Sequence, residues 1–307
     1  MIWYTNNMSD VQPSYEVEIN PSQIIIFTDL DGTLLDHTTY DHSLAQPALE
    51  RTKEANIPVI PVTSKTWPEV QRIQEKIEAM QRMPAIVENG GGIIIPKEFI
   101  SIVPEGVIEN VRIVDDGTNW VVEIARPIEE ARKALSEASQ GISIESFGDM
   151  APEQFSKITG LSVENSVLAL QRQFQEGFRL VNPPTDPVEL QSIKDKISLS
   201  LKEKGFNLTF GGRFWQVTGE ADKGKAVEGL KKILGIKYGK IHTIGLGDAS
   251  GDIPSLVHCD EGYIVANPHK IEEFDISLYP HITKIVQPGP SGWNQAINTS
   301  LDKLLTK

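Results

Sequence analysis

Apolar and polar positions along the chain switch between two periods. Ile24-Ile25-Ile26-Phe27 is apolar without interruption, the pattern of a strand buried on both faces. Ser43 to Ala55 then carries Leu44, Ala48, Leu49, Thr52 and Ala55 at helical spacing, and Ile57 to Val62 returns to a strand. Thr66-Trp67-Pro68-Glu69 has the Thr-x-x-Glu form of a capping box, with proline early in the helix. Trp67, Val70, Ile73, Ile77 and Met80 follow on one helical face, and Ala85 to Val87 supplies a third short strand. Late in the chain the same grammar returns: Lys223 to Leu234 reads as a helix, and Ile241 to Leu246 and Tyr263 to Ala266 as strands. The expected core is an α/β doubly wound parallel sheet.

Between the two blocks the pattern changes. "NWVVEIA" is strand-like, "RPIEEARKALSEAS" helical, "ISIESF" again extended; "DPVELQSIKDKISLSLKEKG" is a long helix, and "FNLTF" and "RFWQV" are short strands around "GG". This α+β material predicts an inserted lobe. The expected organisation is an N-terminal extension over 1–22, a first core segment over 23–98, the lobe over 99–218 and a second core segment over 219–307.

Composition removes several alternatives. The chain has 307 residues, 39% of them hydrophobic, and a net charge of -13 from 29 basic and 42 acidic residues. Such an acidic balance without basic clusters argues against nucleic acid and against an anionic membrane surface as partners. A small anionic substrate held by a few local cations remains open. With Cys259 as its single cysteine the chain can form no internal disulfide, which fits a reducing cytoplasm. The first 22 residues have neither the basic start nor the apolar stretch of a signal peptide, and no run approaches the roughly 20 apolar residues of a membrane helix.

Four features carry chemistry. Asp29-x-Asp31-x-Thr33 follows the first strand, at the sheet edge where open α/β sheets hold ligands. In an extended segment residues two apart share a face, so both carboxylates are expected in one small volume, calling for a cation. The same residues also suit a plain acidic turn broken by Gly32. Thr63-Ser64-Lys65-Thr66 follows the second strand and brings hydroxyls, an ammonium and free amides together, which suits a phosphoryl group, although serine and threonine cap helices in any case. Asp222-Lys223-Gly224-Lys225 opens another helix. A lysine there opposes the helix dipole and so points to a local anion, with Lys223 favoured over Lys225; a solvated surface lysine is the alternative. Finally "GLGDASGD" presents Asp248 and Asp252 after an apolar strand; Asp252 also suits a helix cap. Three carboxylates at one sheet edge, Asp29, Asp31 and Asp248, ask for a hard divalent cation, Mg²⁺ first.

The ordered set "DLDGT", "TSKT", "DKGK" and "GDASGD" resembles the haloacid dehalogenase superfamily of phosphohydrolases. "ENGGGIIIP", "RQFQE", "GGRFWQVTG" and "GWNQAI" narrow the resemblance to mannosyl-3-phosphoglycerate phosphatases; Gly251, where relatives often have Asn, is a departure. The resemblance implies a Rossmann-like core with an inserted α+β cap of the C2B type and a Mg²⁺-dependent phosphatase working through an aspartyl-phosphate. Asp29 would be the nucleophile and Asp31 the general acid and base. Asp29, Asp248 and Asp31, the last through its carbonyl, would hold the metal. Ser64, Lys65 and Lys223 would bind phosphate, with Thr33 and Asp252 in support. Asn89, Arg172, Gly212 and Arg213 are expected to contact substrate, Arg172 and Arg213 as partners of a carboxylate or else as interdomain salt bridges. Phe214 or Trp215 would stack on a sugar or pack a core. The expected partner is a small sugar phosphate, with glucosyl-3-phosphoglycerate or sucrose 6-phosphate as alternative substrates. A phosphomutase and a non-enzymatic relative are the remaining readings.

Overall fold

A computed structural model describes residues 22–211, 214–269 and 275–305. The extension expected over residues 1–21, and the candidate residues Gly212 and Arg213, lie outside that set. The first block runs β1 (Gln23–Thr28), α1 (Gln46–Glu54), β2 (Val59–Pro61), α2 (Trp67–Gln74) and β3 (Ala85–Val87), in the order the periodicity predicts, although α2 ends at Gln74 and Ile77 and Met80 lie beyond it. Three strands follow: β4 (Gly92–Pro96), β5 (Arg112–Asp115) and β6 (Asn119–Glu123). Then come α3 (Ile128–Ala138), β7 (Ile144–Ser146), α4 (Pro152–Thr159), α5 (Val163–Ala169), β8 (Gln175–Leu180), α6 (Pro187–Glu203), β9 (Asn207–Gly211) and β10 (Phe214–Thr218). The chain closes with α7 (Lys223–Tyr238), β11 (Ile241–Gly247), α8 (Ile253–Val257), β12 (Glu261–Ala266), β13 (Ile282–Pro288) and α9 (Ser291–Leu305).

The core sheet is parallel, in the order β13-β12-β11-β1-β2. Alternation along β1 explains its uninterrupted apolar run. Ile24 and Ile26 face a layer that includes Leu49, Trp293, Ala296 and Ile297 from α1 and α9, whereas Ile25 and Phe27 face Val227, Leu230 and Ile233 of α7. Chain direction along the sheet reverses at β1, which has β2 on one side and β11 on the other. The crevice beyond the C-terminal ends of these three strands is where such sheets bind ligands.

Two further sheets are antiparallel. The order β7-β8-β10-β9 packs Phe178 and Val217 on Ala131 and Leu135 of α3 and Ile197 and Leu201 of α6, a core of its own. The other, β3-β4-β6-β5, is tied to the core sheet by a parallel bridge between Val62 and Ile86. Its Val122 and Ile93 pack with Ile25 and Phe27, and its Val121 with Ile24 and Ile26. The lobe expected to begin at residue 99 therefore differs from what the sheets form. β5 and β6 pack on the core, and the separate hydrophobic cluster begins after Ala125. The strand-like pattern of "NWVVEIA" does not say which sheet the strand joins.

One ion pair at the N-terminal ends of β11 and β12 gives the fold a pH signature. His242 Nε2 and Glu261 Oε1 are 3.0 Å apart, and Tyr263 and Ser300 also donate to Glu261 Oε2. The His242 contact foremost, then those hydroxyls, pull the Glu261 carboxyl from its ordinary 4.5 down to about 2 against the effect of burial. The same contact raises His242 above its ordinary 6.5. The Glu261 contribution is present above pH 4.5 and is lost as pH falls through the lowered value. The His242 contribution is present below pH 6.5 and is lost as pH rises through the raised one. Both operate between 4.5 and 6.5. His242→Gln is expected to lower the melting temperature there by about 2 °C, with the gap to the parent protein closing at alkaline pH. A gap constant from pH 5 to 9 would show that the pair contributes nothing.

Candidate active site

β1 ends at Thr28, and the chain then turns through Leu30–Thr33. Strand alternation no longer applies beyond that point. Asp29 faces Lys223, whose Nζ lies 3.0 Å from Asp29 Oδ1, while Asp31 Oδ2 lies 2.8 Å from Lys65 Nζ. The two carboxylates expected in one volume thus point to different cations. Gly32 makes the turn possible with φ +84°, and any Cβ there would sit 2.7 Å from Asp248 Oδ2. Thr33 Oγ1 stands between the two loops, 3.4 Å from Asp29 Oδ2 and 3.5 Å from Asp248 Oδ1.

Lys223 is the first residue of α7, capped by Asp222, whose Oδ1 accepts from the Lys225 amide at 2.9 Å. The local anion that its unfavourable place on the helix dipole implies is a pair of carboxylates, since Lys223 Nζ also donates to Asp252 Oδ1 at 2.7 Å. Asp252 Oδ2 accepts from the amides of Asp248 and Ala249 at 3.0 and 3.1 Å. Asp252 therefore fixes both the lysine and the loop carrying Asp248. Asn267, at the end of β12, donates to Asp248 Oδ2.

Asp29, Asp248 and Asp252 bring carboxylate oxygens within 4.8 Å of one another. Lys223 is buried among them, and carboxylates outnumber the cation. Burial foremost, with repulsion from Asp252, Asp248 and Asp31 and against the pull of Lys223, raises the Asp29 carboxyl to about 8. Burial alone would lower Lys223, but Asp252 and Asp29 outweigh it and raise its pKa. Hard oxygen donors with surplus negative charge fit Mg²⁺. The carboxylate set differs from the expected one, with Asp252 in it and the Asp31 side chain turned away.

The remaining candidates sit as follows. Ser64 is exposed on the loop after β2. Lys65, expected on phosphate, pairs with Asp31 and lies over the Tyr40 ring at 5.0 Å. Asp31 Oδ1 is buried without a hydrogen-bond partner among the described residues. Asn89 Nδ2 donates to Gln175 and Gln216, and Arg172 gives its Nε and Nη2 groups to Gln175 and to the Ser64 carbonyl. Phe214 packs on Phe147 and Phe155, and Trp215 edge-on to Phe178. A cavity of about 160 Å³ beside Lys65 is walled by Tyr40, His42 and Arg72 from the core and by Leu161, Asn165 and Leu168 from the inserted lobe.

Sequence reasoning missed two supports. Trp293 is fully buried and donates from Nε1 to Thr28 Oγ1 at 3.0 Å; that hydroxyl donates to the Asp29 carbonyl at 2.7 Å. The stretch "GWNQAI" pointed to the residue but not to its role of bracing the end of β1. Asn267 had no signal beyond following a strand.

Comparison with known proteins agrees with this geometry. Residues 26–271 match the family model described as haloacid dehalogenase-like hydrolase. The chain is 38% identical over 284 residues to a glucosyl-3-phosphoglycerate/mannosyl-3-phosphoglycerate phosphatase of Methanococcoides burtonii, covering 91% of this chain and 97% of that protein. It is 28% identical to the mannosyl-3-phosphoglycerate phosphatase of Pyrococcus horikoshii, over 86% of this chain and 99% of that one. Among solved structures, the sucrose-phosphatase of Synechocystis, in complex with sucrose and phosphate, superposes with a TM-score of 0.57 at 15% identity, covering 92% of this chain and 98% of that one, which speaks to fold alone. No helix among the described residues is long and apolar enough to cross a membrane. With its carboxylate cluster at the C-terminal edge of a parallel sheet, the chain belongs to the haloacid dehalogenase-like hydrolase family and is a phosphoric monoester hydrolase.

Proposed function

We propose that the enzyme hydrolyses mannosyl-3-phosphoglycerate to mannosylglycerate and orthophosphate, in the cytoplasm. The observation that carries this reading is Asp29, buried against Lys223 and next to Asp248, in a chain whose relatives are named for that substrate. Asp29 Oδ attacks phosphorus, forming the aspartyl-phosphate as the bond to the leaving oxygen breaks. Asp31 donates its proton to that oxygen, then accepts one from the water that hydrolyses the intermediate. Ser64 and Lys223 hold the phosphoryl oxygens, and Lys65, paired with Asp31, orients the acid–base carboxylate. Mg²⁺ would be held by Asp29, Asp248 and the Asp31 carbonyl; when bound it keeps Asp29 ionised and offsets the charge of the phosphate dianion. The cavity beside Lys65 is the place for the leaving group, with Arg72 available to its carboxylate.

Glucosyl-3-phosphoglycerate is the second substrate to weigh, because the Methanococcoides burtonii relative is named for both. The test is orthophosphate release from each ester, with sucrose 6-phosphate and hexose phosphates as controls, before and after chelation. Turnover of the two phosphoglycerates that stops with chelator and returns with Mg²⁺ is the expected result. Faster turnover of the controls would overturn the substrate assignment.

Asp31→Asn separates the two roles of the acid–base residue. Aryl phosphates leave without help, so their formation of the aspartyl-phosphate is expected to survive, whereas alkyl esters lose about 10²-fold or more in rate. Equal losses in burst rate on both ester types would remove Asp31 from leaving-group protonation.

A further inference from the structure

The turn Glu88-Asn89-Gly90, which joins β3 to β4, touches three parts of the site at once. Its backbone holds the loop after β2: the Glu88 amide donates to the Lys65 carbonyl at 3.0 Å and the Asn89 amide to the Thr63 carbonyl at 2.9 Å. Its side chains hold the inserted lobe. Glu88 is buried, and its carboxylate accepts from the amides of Gln173, Phe174 and Gln175 at 2.8 to 3.0 Å, while Asn89 bonds the side chains of Gln175 and Gln216. Gly90 packs on the start of α7, where a Cβ would lie 2.6 Å from the Lys223 amide. Glu88 and Asn89 both have positive φ, 49° and 58°, a strained backbone that the surrounding bonds must maintain.

Arg172 closes this arrangement. Its guanidinium lies 3.6 Å from Glu88 Oε2, donates from Nε to the Gln175 carbonyl at 2.9 Å, and reaches across from the lobe to donate from Nη2 to the Ser64 carbonyl at 2.9 Å. A buried arginine, held by a buried glutamate, thus grips the backbone of the residue whose hydroxyl is assigned to phosphate. We infer that Arg172 is a positioning residue: it sets Ser64 through its carbonyl, so that phosphate binding in the core depends on the placement of the lobe. The inference rests on the proposed contact between Ser64 and phosphate, and it separates Arg172 from recognition of the substrate carboxylate.

The experiment compares the full-length protein with Arg172→Lys, Ser64→Ala, the double variant, and Asn89→Gly, which keeps the Glu88–Arg172 pair and tolerates positive φ. Each is assayed for kcat and KM on p-nitrophenyl phosphate and on mannosyl-3-phosphoglycerate, for inhibition by orthophosphate, and for melting temperature. A lysine cannot reproduce the fork, so Arg172→Lys is expected to lose about 10- to 100-fold in kcat/KM on both esters and to weaken orthophosphate inhibition in step. The same substitution in the Ser64→Ala background costs little more, because the route is already cut. Asn89→Gly shows the same uniform loss on a smaller scale, and it carries the test if Arg172→Lys does not fold. Losses confined to the carboxylate-bearing ester, losses that multiply in the double variant, or losses that only track a fallen melting temperature would each overturn the inference. Unchanged orthophosphate inhibition in Ser64→Ala would instead refute the assignment of Ser64, and the inference with it.

Discussion

Asp29→Asn is expected to abolish turnover on every phosphate ester while leaving the fold in place. The amide matches the carboxylate in shape and cannot form the acyl phosphate, so the loss should reach on the order of 10⁴-fold or more. Stability should not follow activity. Asp29, Asp248 and Asp252 crowd one lysine, and a neutral amide avoids the cost of an ionised carboxylate there, which burial foremost and repulsion from Asp252, Asp248 and Asp31 express by raising the Asp29 carboxyl to about 8. Without divalent cation the melting temperature is therefore expected to hold or rise, the usual trade at a strained active site. Orthophosphate release and thermal melts in chelator and in Mg²⁺ provide the measurement. Native-like turnover in a folded variant would remove Asp29 from the chemistry altogether.

What the chain revealed before its structure follows from where the signals come from. Asp29 and Asp248 were readable because each ends an apolar strand, and parallel strands flanking a reversal in chain direction deliver their C-terminal ends to one crevice. Lys223 was readable because its place on the dipole needed an anion. The capping box of α2 was also readable, and it is present in full, with Thr66 and Glu69 bonding each other's amides.

Other features depend on partners far along the chain. That Asp31 turns to Lys65 follows from the strand ending at Thr28, and a run of residue types does not mark that residue. β8 gave no strand pattern because its buried Gln175 and Glu176 are polar; Glu176 is fully buried because Arg132 and the Gly148 amide satisfy it. β13, at the sheet edge, is mostly exposed and lacks the apolar run that marks a central strand. The attachment of β5 and β6 to the core was hidden for another reason, since the pairing of β6 with β4, and of β5 with β6, is not written in either strand's own pattern.

Lys223→Met is expected to damage both activity and stability, the reverse of Asp29→Asn. Its Nζ lies 3.0 Å from Asp29 Oδ1 and 2.7 Å from Asp252 Oδ1, and the side chain is 8% exposed. Methionine keeps the volume of the stem and leaves the buried carboxylates without their ammonium, which costs about 3–5 kcal/mol when one partner of a buried pair is removed. A divalent cation binding the folded state should restore part of that loss, so the drop in melting temperature is expected to be larger in chelator than in Mg²⁺. In the proposed mechanism the lysine also holds the phosphoryl group shared by every substrate. In saturating Mg²⁺, kcat/KM should therefore fall about 10²- to 10³-fold, as for loss of a charged donor at a transition-state oxyanion, and by similar factors on p-nitrophenyl phosphate and on the sugar esters. Lys225→Met is the control, because that side chain is exposed two residues on along α7 and should leave both readouts unchanged. A loss restricted to one substrate class would move Lys223 from the phosphate to the leaving group, and an unchanged melting temperature in chelator would mean that the carboxylates do not need it.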